Sequence, residues 1–297
     1  MQRNAATKGG LELAKGRAVA AVVHGGAGAP AHRIGGCRLA ANAAMELLKR
    51  GESALAAAEA AAVVMEDDPA YNAGTGSRPR MDGTCEMDAA IMDSSGAMGI
   101  VTLLKRVRNP VRVARLVLER TPHLALGGAG ALAFARRMGF PDYDPLTERR
   151  RIALRKAMEL LRKGRRGDRR LLELLGPGDT IGVVARDSEG GMAVANSTGG
   201  VELMLPGRIG DSPMPGAGFY CGPAGSVATT GQGEAIIRRM SAISVYGMLE
   251  RGMDPQEACR REVERYPSEA VFGVIALTPA ATGTANNRTM PVVVVNG

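Results

Sequence analysis

Apolar positions along this chain fall into short β-rich runs bounded by glycine turns and longer Ala- and Leu-rich stretches at helical spacing. The first run, "RAVAAVVH" at 17–24, predicts a buried strand ending in the glycine-rich turn "GGAGAP". Two helices are expected next, "GCRLAANAAMELLKRG" and "SALAAAEAAAVVMEDD", the second rich enough in Ala for close packing. The loop "PAYNAGTGSRPRMDGT" then leads to two strands, "CEMDAAIMDS" and "AMGIVTLLK", joined by Ser-Gly as a hairpin. Helices over 110–120 and 129–138 run into a basic, partly helical segment.

The second half repeats this grammar. "TIGVVARD" and "GMAVANST" flank "SEGG", another hairpin. A Gly- and Pro-rich loop, "GGVELMLPGRIGDSPMPGAG", precedes the strand "SVATTG". Two helices, "EAIIRRMSAISVYGMLERG" and "PQEACRREVERY", come before the closing strands "AVFGVIALTP" and "MPVVVV". Strands arrive in hairpins and helices in pairs. That order predicts an α+β fold with antiparallel sheets stacked between helical layers, not a doubly wound parallel sheet.

Composition changes this picture little. The 297 residues allow one large domain or two small ones. No apolar run approaches the ~18 residues of a membrane span, and the first residues read as a short tail, not a signal peptide. The four cysteines have no CxxC spacing, so reduced thiols in a cytoplasmic protein are expected. The three histidines are too scattered for a zinc site. The net charge of +8 matters only by its location. Residues 149–170 hold eleven Lys/Arg against Glu159 and Asp168, which leaves the rest of the chain near −1. A charge run of this kind is usually a solvated face or linker, so nucleic acid is not expected as a partner. A basic nucleic-acid-binding protein stays as the competing class.

Two segments invite chemistry. "VVHGGAGAP" resembles a phosphate loop but lacks both the Gly-Lys-Ser/Thr ending and the GxGxxG spacing, so a tight packed turn is the better reading. A nucleotide-binding enzyme built on it would be stabilised by ATP or NAD. Thr180 opens an apolar strand directly behind Gly-Asp and the basic segment. Its side chain suits a strand by shape alone. As a nucleophile it needs a base, and no histidine is near in sequence. Cutting the Asp179–Thr180 bond would free its own α-amino group, with a pKa of about 8, to serve as that base. Its company supports this use. Thr198 lies on the neighbouring strand of the hairpin. Arg208 and Asp211, three residues apart in a Gly/Pro-framed loop, could hold the carboxylate and the ammonium of an α-amino acid. Thr230 and the Gly231 N–H could stabilise an oxyanion.

The ordered set "GDTIGVVARDSEGGMAVANSTGG", "LPGRIGDSPMPGAG" and "TGQGE" resembles the plant-type L-asparaginase and isoaspartyl aminopeptidase family, threonine N-terminal-nucleophile hydrolases related to glycosylasparaginase. The likeness runs from "VHGGAGA" through "YNAGTG" and "EMDAAIMD" to the end of the chain. It implies a single four-layer αββα domain over 1–297 that cuts itself into an α chain, 1–179, and a β chain, 180–297, with a basic linker over about 140–179. Two αβ pairs would form a dimer of heterodimers. It implies Thr180 as nucleophile, tuned by Thr198, with Asn72 close by. Arg208 would take the substrate α-carboxylate, and Asp211, with the Gly231 carbonyl and Gly233, the α-amino end. Thr230 would serve the oxyanion. Substrates would be L-asparagine or β-aspartyl dipeptides. No catalytic cofactor is implied, only a structural sodium ion on the backbone carbonyls of Met65, Glu66, Asp68, Tyr71, Ala73 and Thr75. Two features depart from the plant type. Asp179 stands where glycine usually precedes the nucleophile, as in the glycosylasparaginase branch, and the linker is unusually basic. "HGGAGA", "STGG" and the lack of tryptophan favour the plant type over a glycan-cleaving amidase.

Overall fold

The computed structural model describes residues 18–163 and 179–297. The tail 1–17 and the linker stretch 164–178 lie outside the described residues. Among the described residues, eleven strands form two sheets. The larger takes β1 (Ala20–His24), β2 (Met87–Asp93), β3 (Met98–Leu104), β4 (Ala125–Gly127), β5 (Ile181–Arg186), β6 (Met192–Thr198) and β11 (Val292–Asn296). Their spatial order is β11-β1-β5-β6-β2-β3-β4. The smaller sheet, in the order β10-β9-β8-β7, is made of β7 (Phe219–Gly222), β8 (Gly225–Gly231), β9 (Phe272–Leu277) and β10 (Thr282–Asn286). Among these eleven strands every pairing is antiparallel except β3 with β4. The fold is therefore α+β.

Alternation along the central strands sorts the core. Ala21 and Val23 of β1, with Ile181, Val183 and Ala185 of β5, pack against α1 (Ile34–Lys49), α2 (Ala54–Asp67) and α3 (Pro110–Arg120). The intervening residues Ala20, Val22 and Val184 face Phe219, Ala228, Ile275 and Leu277 of the smaller sheet. The other side of that sheet, Val227, Val274 and Ala276, packs on α7 (Ser241–Glu250) and α8 (Pro255–Glu264). A strand buried on both faces reads as a continuous apolar run, which is why "AAVVH" and "IGVVAR" contain almost no polar residues.

Local signals explain the helix ends. Ser53 caps α2 by accepting from the Ala56 N–H at 3.2 Å, and Asp254 caps α8 with Pro255 at its first position. The stretch expected as one helix over 234–252 is two, α6 (Gly233–Arg239) and α7, broken at Met240 in a left-handed conformation with φ 52°. Neither Gly nor Pro marks that break. The short strands β4, β7 and β10 carry too few residues for a clear period and were not expected. α4 (Gly128–Arg137) and α5 (Glu148–Arg162) fall where helix was predicted. Among the described residues no helix is long and apolar enough to cross a membrane.

Candidate active site

β5 and β6 pair with Ile181 opposite Ser197, a register that sets Thr180 opposite Thr198 on one face. Thr180 Oγ1 donates to Thr198 Oγ1 at 3.2 Å. Thr198 also accepts from the Gly200 N–H at 3.0 Å, so its oxygen is turned as an acceptor. Ser212 Oγ lies 3.1 Å from Thr180 Oγ1. Thr180 has one hydroxyl proton; with that proton on Thr198, Ser212 donates to Thr180. Ser212, next to Asp211, carries no signal of this contact in the sequence. On the other side of Thr198, β2 brings Asp88 directly opposite. Burial pushes the Asp88 carboxyl up to about 6.

Thr180 opens onto a narrow cleft that Thr198, Arg208, Asp211, Gly231 and Gly233 also line. Residues drawn from both halves of the loop 199–218 and from the end of β8 thus converge on one hydroxyl. The Arg208 guanidinium pairs with Glu234 at 2.8 Å. Burial works against ionisation of Glu234, but the charge and hydrogen bond of Arg208 keep its carboxyl below the ordinary range. Asp211 is buried, and its Oδ2 has no hydrogen-bond partner among the described residues. Burial pushes its carboxyl up to about 7. Gly233 leaves room for both side chains. A Cβ there would lie 2.7 Å from Arg208 Nη2 and 2.8 Å from Asp211 Oδ1. The cleft therefore offers a guanidinium, a carboxyl with one oxygen lacking a partner among the described residues and a hydroxyl between two other hydroxyls, groups that can orient an α-amino acid beside a nucleophile.

Two predicted residues stand beside the cleft. Thr230 Oγ1 donates to the Thr180 carbonyl at 3.4 Å and accepts from the Ala27 N–H at 3.3 Å. Asn72 supports the wall from behind. Its amide donates to the Gly200 carbonyl at 2.5 Å and its Oδ1 accepts from the Arg78 N–H at 2.8 Å. No hydrogen bond joins Asn72 to Thr180 among the described residues.

The glycine-rich turn after β1 serves the same place. Gly26, at φ +100°, sits so close to Asp179 that a Cβ would lie 2.6 Å from its Cα. The preceding His24 accepts from the Gly26 N–H and is kept neutral by burial, its pKa lowered to about 3. The Asp179 carboxylate meets Arg33 at 2.7 Å and Arg78 at 3.2 Å.

The predicted cation loop closes on the end of α2. The Thr75 N–H donates to the Glu66 carbonyl at 2.7 Å, and the Tyr71 N–H to the Asp68 carbonyl at 3.1 Å. The Met65 and Glu66 carbonyls fall in the last helical turn, where the helix dipole concentrates negative charge. Glu66 itself is buried, hydrogen-bonded to Ser197 at 2.6 Å, and pushed up to about 8 by burial. Among the described residues no cluster of three His, Cys, Asp or Glu side chains could hold a metal ion.

The described part of the basic segment is not simply solvated. Arg150 is buried and donates to the Gly76 carbonyl at 2.8 Å; burial lowers its pKa to about 10. Arg151 pairs with Asp144 at 2.5 Å and Arg155 with Glu148 at 2.9 Å. All four cysteines are free and buried.

The asparaginase family model matches residues 17–295. The chain is 43% identical over 259 residues to the plant-type L-asparaginase of Pyrococcus abyssi, covering 83% of this chain and 84% of that one. It is 40% identical over 286 residues to the plant-type L-asparaginase of Pyrococcus horikoshii, covering 91% and 93%. The isoaspartyl peptidase/L-asparaginase of Mus musculus is 40% identical over 239 residues, covering 79% and 72%. The range matched by the family model takes in both sheets and the segments that line the cleft. The chain belongs to the asparaginase family.

Proposed function

We propose that this protein is a self-cleaving amidohydrolase that converts L-asparagine to aspartate and ammonia, and β-aspartyl dipeptides to aspartate and an amino acid. The observation that carries the reading is the Thr180 hydroxyl held between Thr198 and Ser212, in a cleft that also presents Arg208 and the partnerless Asp211 oxygen. The names and identities of the relatives support the substrate class. The N-terminal-nucleophile hydrolase architecture, a four-layer αββα sandwich forming one domain over 1–297, is supported by the two sheets with helices packed outside each.

Self-cleavage comes first. Thr180 Oγ attacks the Asp179 carbonyl carbon, the C–N bond breaks, and the hydroxyl proton ends on the Thr180 nitrogen. Water then hydrolyses the ester, leaving the Asp179 carboxylate, the Thr180 hydroxyl and a free Thr180 amine. The products are the α chain, 1–179, and the β chain, 180–297. They stay together, and two pairs make a dimer of heterodimers.

In the cut protein the Thr180 amine takes the Oγ proton as Oγ attacks the substrate side-chain carbonyl. Arg208 binds the substrate α-carboxylate; Asp211, the Gly231 carbonyl and the space at Gly233 receive its ammonium. The Thr230 hydroxyl and the adjacent N–H stabilise the oxyanion. The C–N bond breaks, and the amine returns its proton to ammonia or to the leaving amino acid. Water then cleaves the β-aspartyl ester and restores the hydroxyl. Asn72 acts at one remove, through Gly200 and so through the Gly200–Thr198 contact.

No catalytic cofactor enters this scheme. A sodium ion on the carbonyls of Met65, Glu66, Asp68, Tyr71, Ala73 and Thr75 fits the loop, because a carbonyl oxygen has two lone pairs, so that even those of Glu66 and Asp68, which accept a backbone N–H, keep one, and hard oxygen donors suit such a cation. It would hold the loop that carries Asn72. Internal pairing of the α5 arginines supports a partner list without nucleic acid, and the free cysteines support a cytoplasmic location.

Ammonia release from L-asparagine and leucine release from β-Asp-Leu test the function. Both should appear with the cut protein and vanish in Thr180→Ala. Turnover by Thr180→Ala at the wild-type rate would reject the nucleophile.

A further inference from the structure

Asp179 has no role in the hydrolysis of substrate, yet it is held at several points. Arg33 Nη1 donates to its Oδ2 at 2.7 Å and Arg78 Nη2 to the same oxygen at 3.2 Å. The side chains of Arg33, Arg78 and Asp179 are only 12%, 6% and 4% exposed. From the other side Gly26 presses on the Asp179 backbone, with no room for a Cβ. The two arginines are themselves fixed, by consecutive residues of one loop. The Tyr71 hydroxyl donates to the Arg33 carbonyl. The Asn72 Oδ1 accepts from the Arg78 N–H at 2.8 Å.

This arrangement bears on the bond between Asp179 and Thr180. A carboxylate removed from water must be compensated, and charge-assisted bonds from two directions hold it firmly. With its side chain gripped and its Cα against Gly26, Asp179 has little freedom about its own backbone torsions. Its carbonyl is then fixed relative to the hydroxyl on the next residue. Attack within one dipeptide needs that fixing, because a reacting pair must spend its time near ~3–3.5 Å and aligned.

We propose that Arg33 and Arg78 are positioning residues for self-cleavage. Together they grip the Asp179 side chain and hold the carbonyl before Thr180 within reach of Thr180 Oγ. The inference rests on the self-cleavage reading above. The bonds made and broken are those of that reading, and neither arginine gives or takes a proton. Tyr71 and Asn72 set the spacing of the grip.

The full-length chain, followed by denaturing electrophoresis from the moment of purification, tests this. Arg33→Gln and Arg78→Gln should each slow cleavage by about 10-fold or more, and lysine at either position should restore part of the rate. Asp179→Asn should slow cleavage comparably, and adding Arg33→Gln to it should slow it little further, because the grip is already lost. Thermal unfolding checks that each variant is folded. If a glutamine variant fails to fold, Asp179→Asn, which keeps both arginines, decides alone. Wild-type rates in the folded variants, or multiplied effects in the Arg33→Gln/Asp179→Asn pair, would overturn the grip. A wild-type chain that never cuts would instead reject self-cleavage itself.

Discussion

Ser212 Oγ lies 3.1 Å from Thr180 Oγ1, and the residue before it is the buried Asp211 of the same loop. One short segment thus delivers both a hydrogen bond to the Thr180 hydroxyl, the proposed nucleophile, and the carboxyl proposed to receive the substrate ammonium. Ser212→Ala should lower kcat/KM of the cut protein for L-asparagine by about 2–10-fold, the worth of one hydrogen bond of ~0.5–1.5 kcal/mol. Unchanged kcat/KM would remove Ser212 from the site.

The Asp211 carboxyl, pushed up to about 7 by burial, makes activity and stability respond oppositely to pH. Binding of a substrate ammonium needs the ionised form, so kcat/KM should rise as pH climbs through about 7. Stability runs the other way. Between the unfolded aspartate value of about 4 and the folded value, the folded chain holds the extra proton, so it loses stability as pH rises across that window. Asp211→Asn should abolish asparagine turnover and, at pH 8, raise the thermal midpoint by about 2–4 °C. A midpoint below that of the wild type would contradict the assignment.

Gly233→Ala tests the shape of the cleft. Its methyl would meet Arg208 Nη2 and Asp211 Oδ1 inside van der Waals distance, and such overpacking costs about 1–3 kcal/mol. KM for L-asparagine should rise about 5–100-fold while self-cleavage continues, since Asp179 and Gly26 are untouched. An unchanged KM would mean that Arg208 and Asp211 do not hold the substrate where the cleft presents them.

Much of this site was legible in the chain because local patterns carry it. A strand opening at Thr180, a hairpin returning Thr198 beside it, and a Gly/Pro-framed loop bearing Arg208 and Asp211 all follow from short-range signals. Ser212 was not, since a serine between Asp and Pro reads as an ordinary turn residue. Arg33 and Arg78 gave no signal at all. They reach Asp179 across separations of 146 and 101 residues, which no periodicity encodes. The helix break at Met240 carries no Gly or Pro signal; the next residues bond across the chain, the Ala242 N–H to the Ala217 carbonyl and the Ile243 N–H to the Gly216 carbonyl, which short-range patterns do not encode. The reading of the charge run as a solvated face or linker does not hold at Arg150, buried against the Gly76 carbonyl.

That burial separates the arginines of α5. Arg150→Gln should destabilise the chain by about 1.5–3 kcal/mol in a denaturant titration, through the lost charge-assisted bond to Gly76. Arg155→Gln, at an exposed pair, should stay within about 0.5 kcal/mol of wild type. Equal effects would place both side chains in the same environment, contrary to the structure.

Self-cleavage before Thr180 is the claim on which the catalytic amine depends, and one gel with N-terminal sequencing measures it. The wild-type protein should yield chains of 179 and 118 residues, the smaller beginning Thr-Ile-Gly-Val, while Thr180→Ala stays whole. An active protein that remains one chain, or a smaller fragment beginning at any other residue, would contradict it.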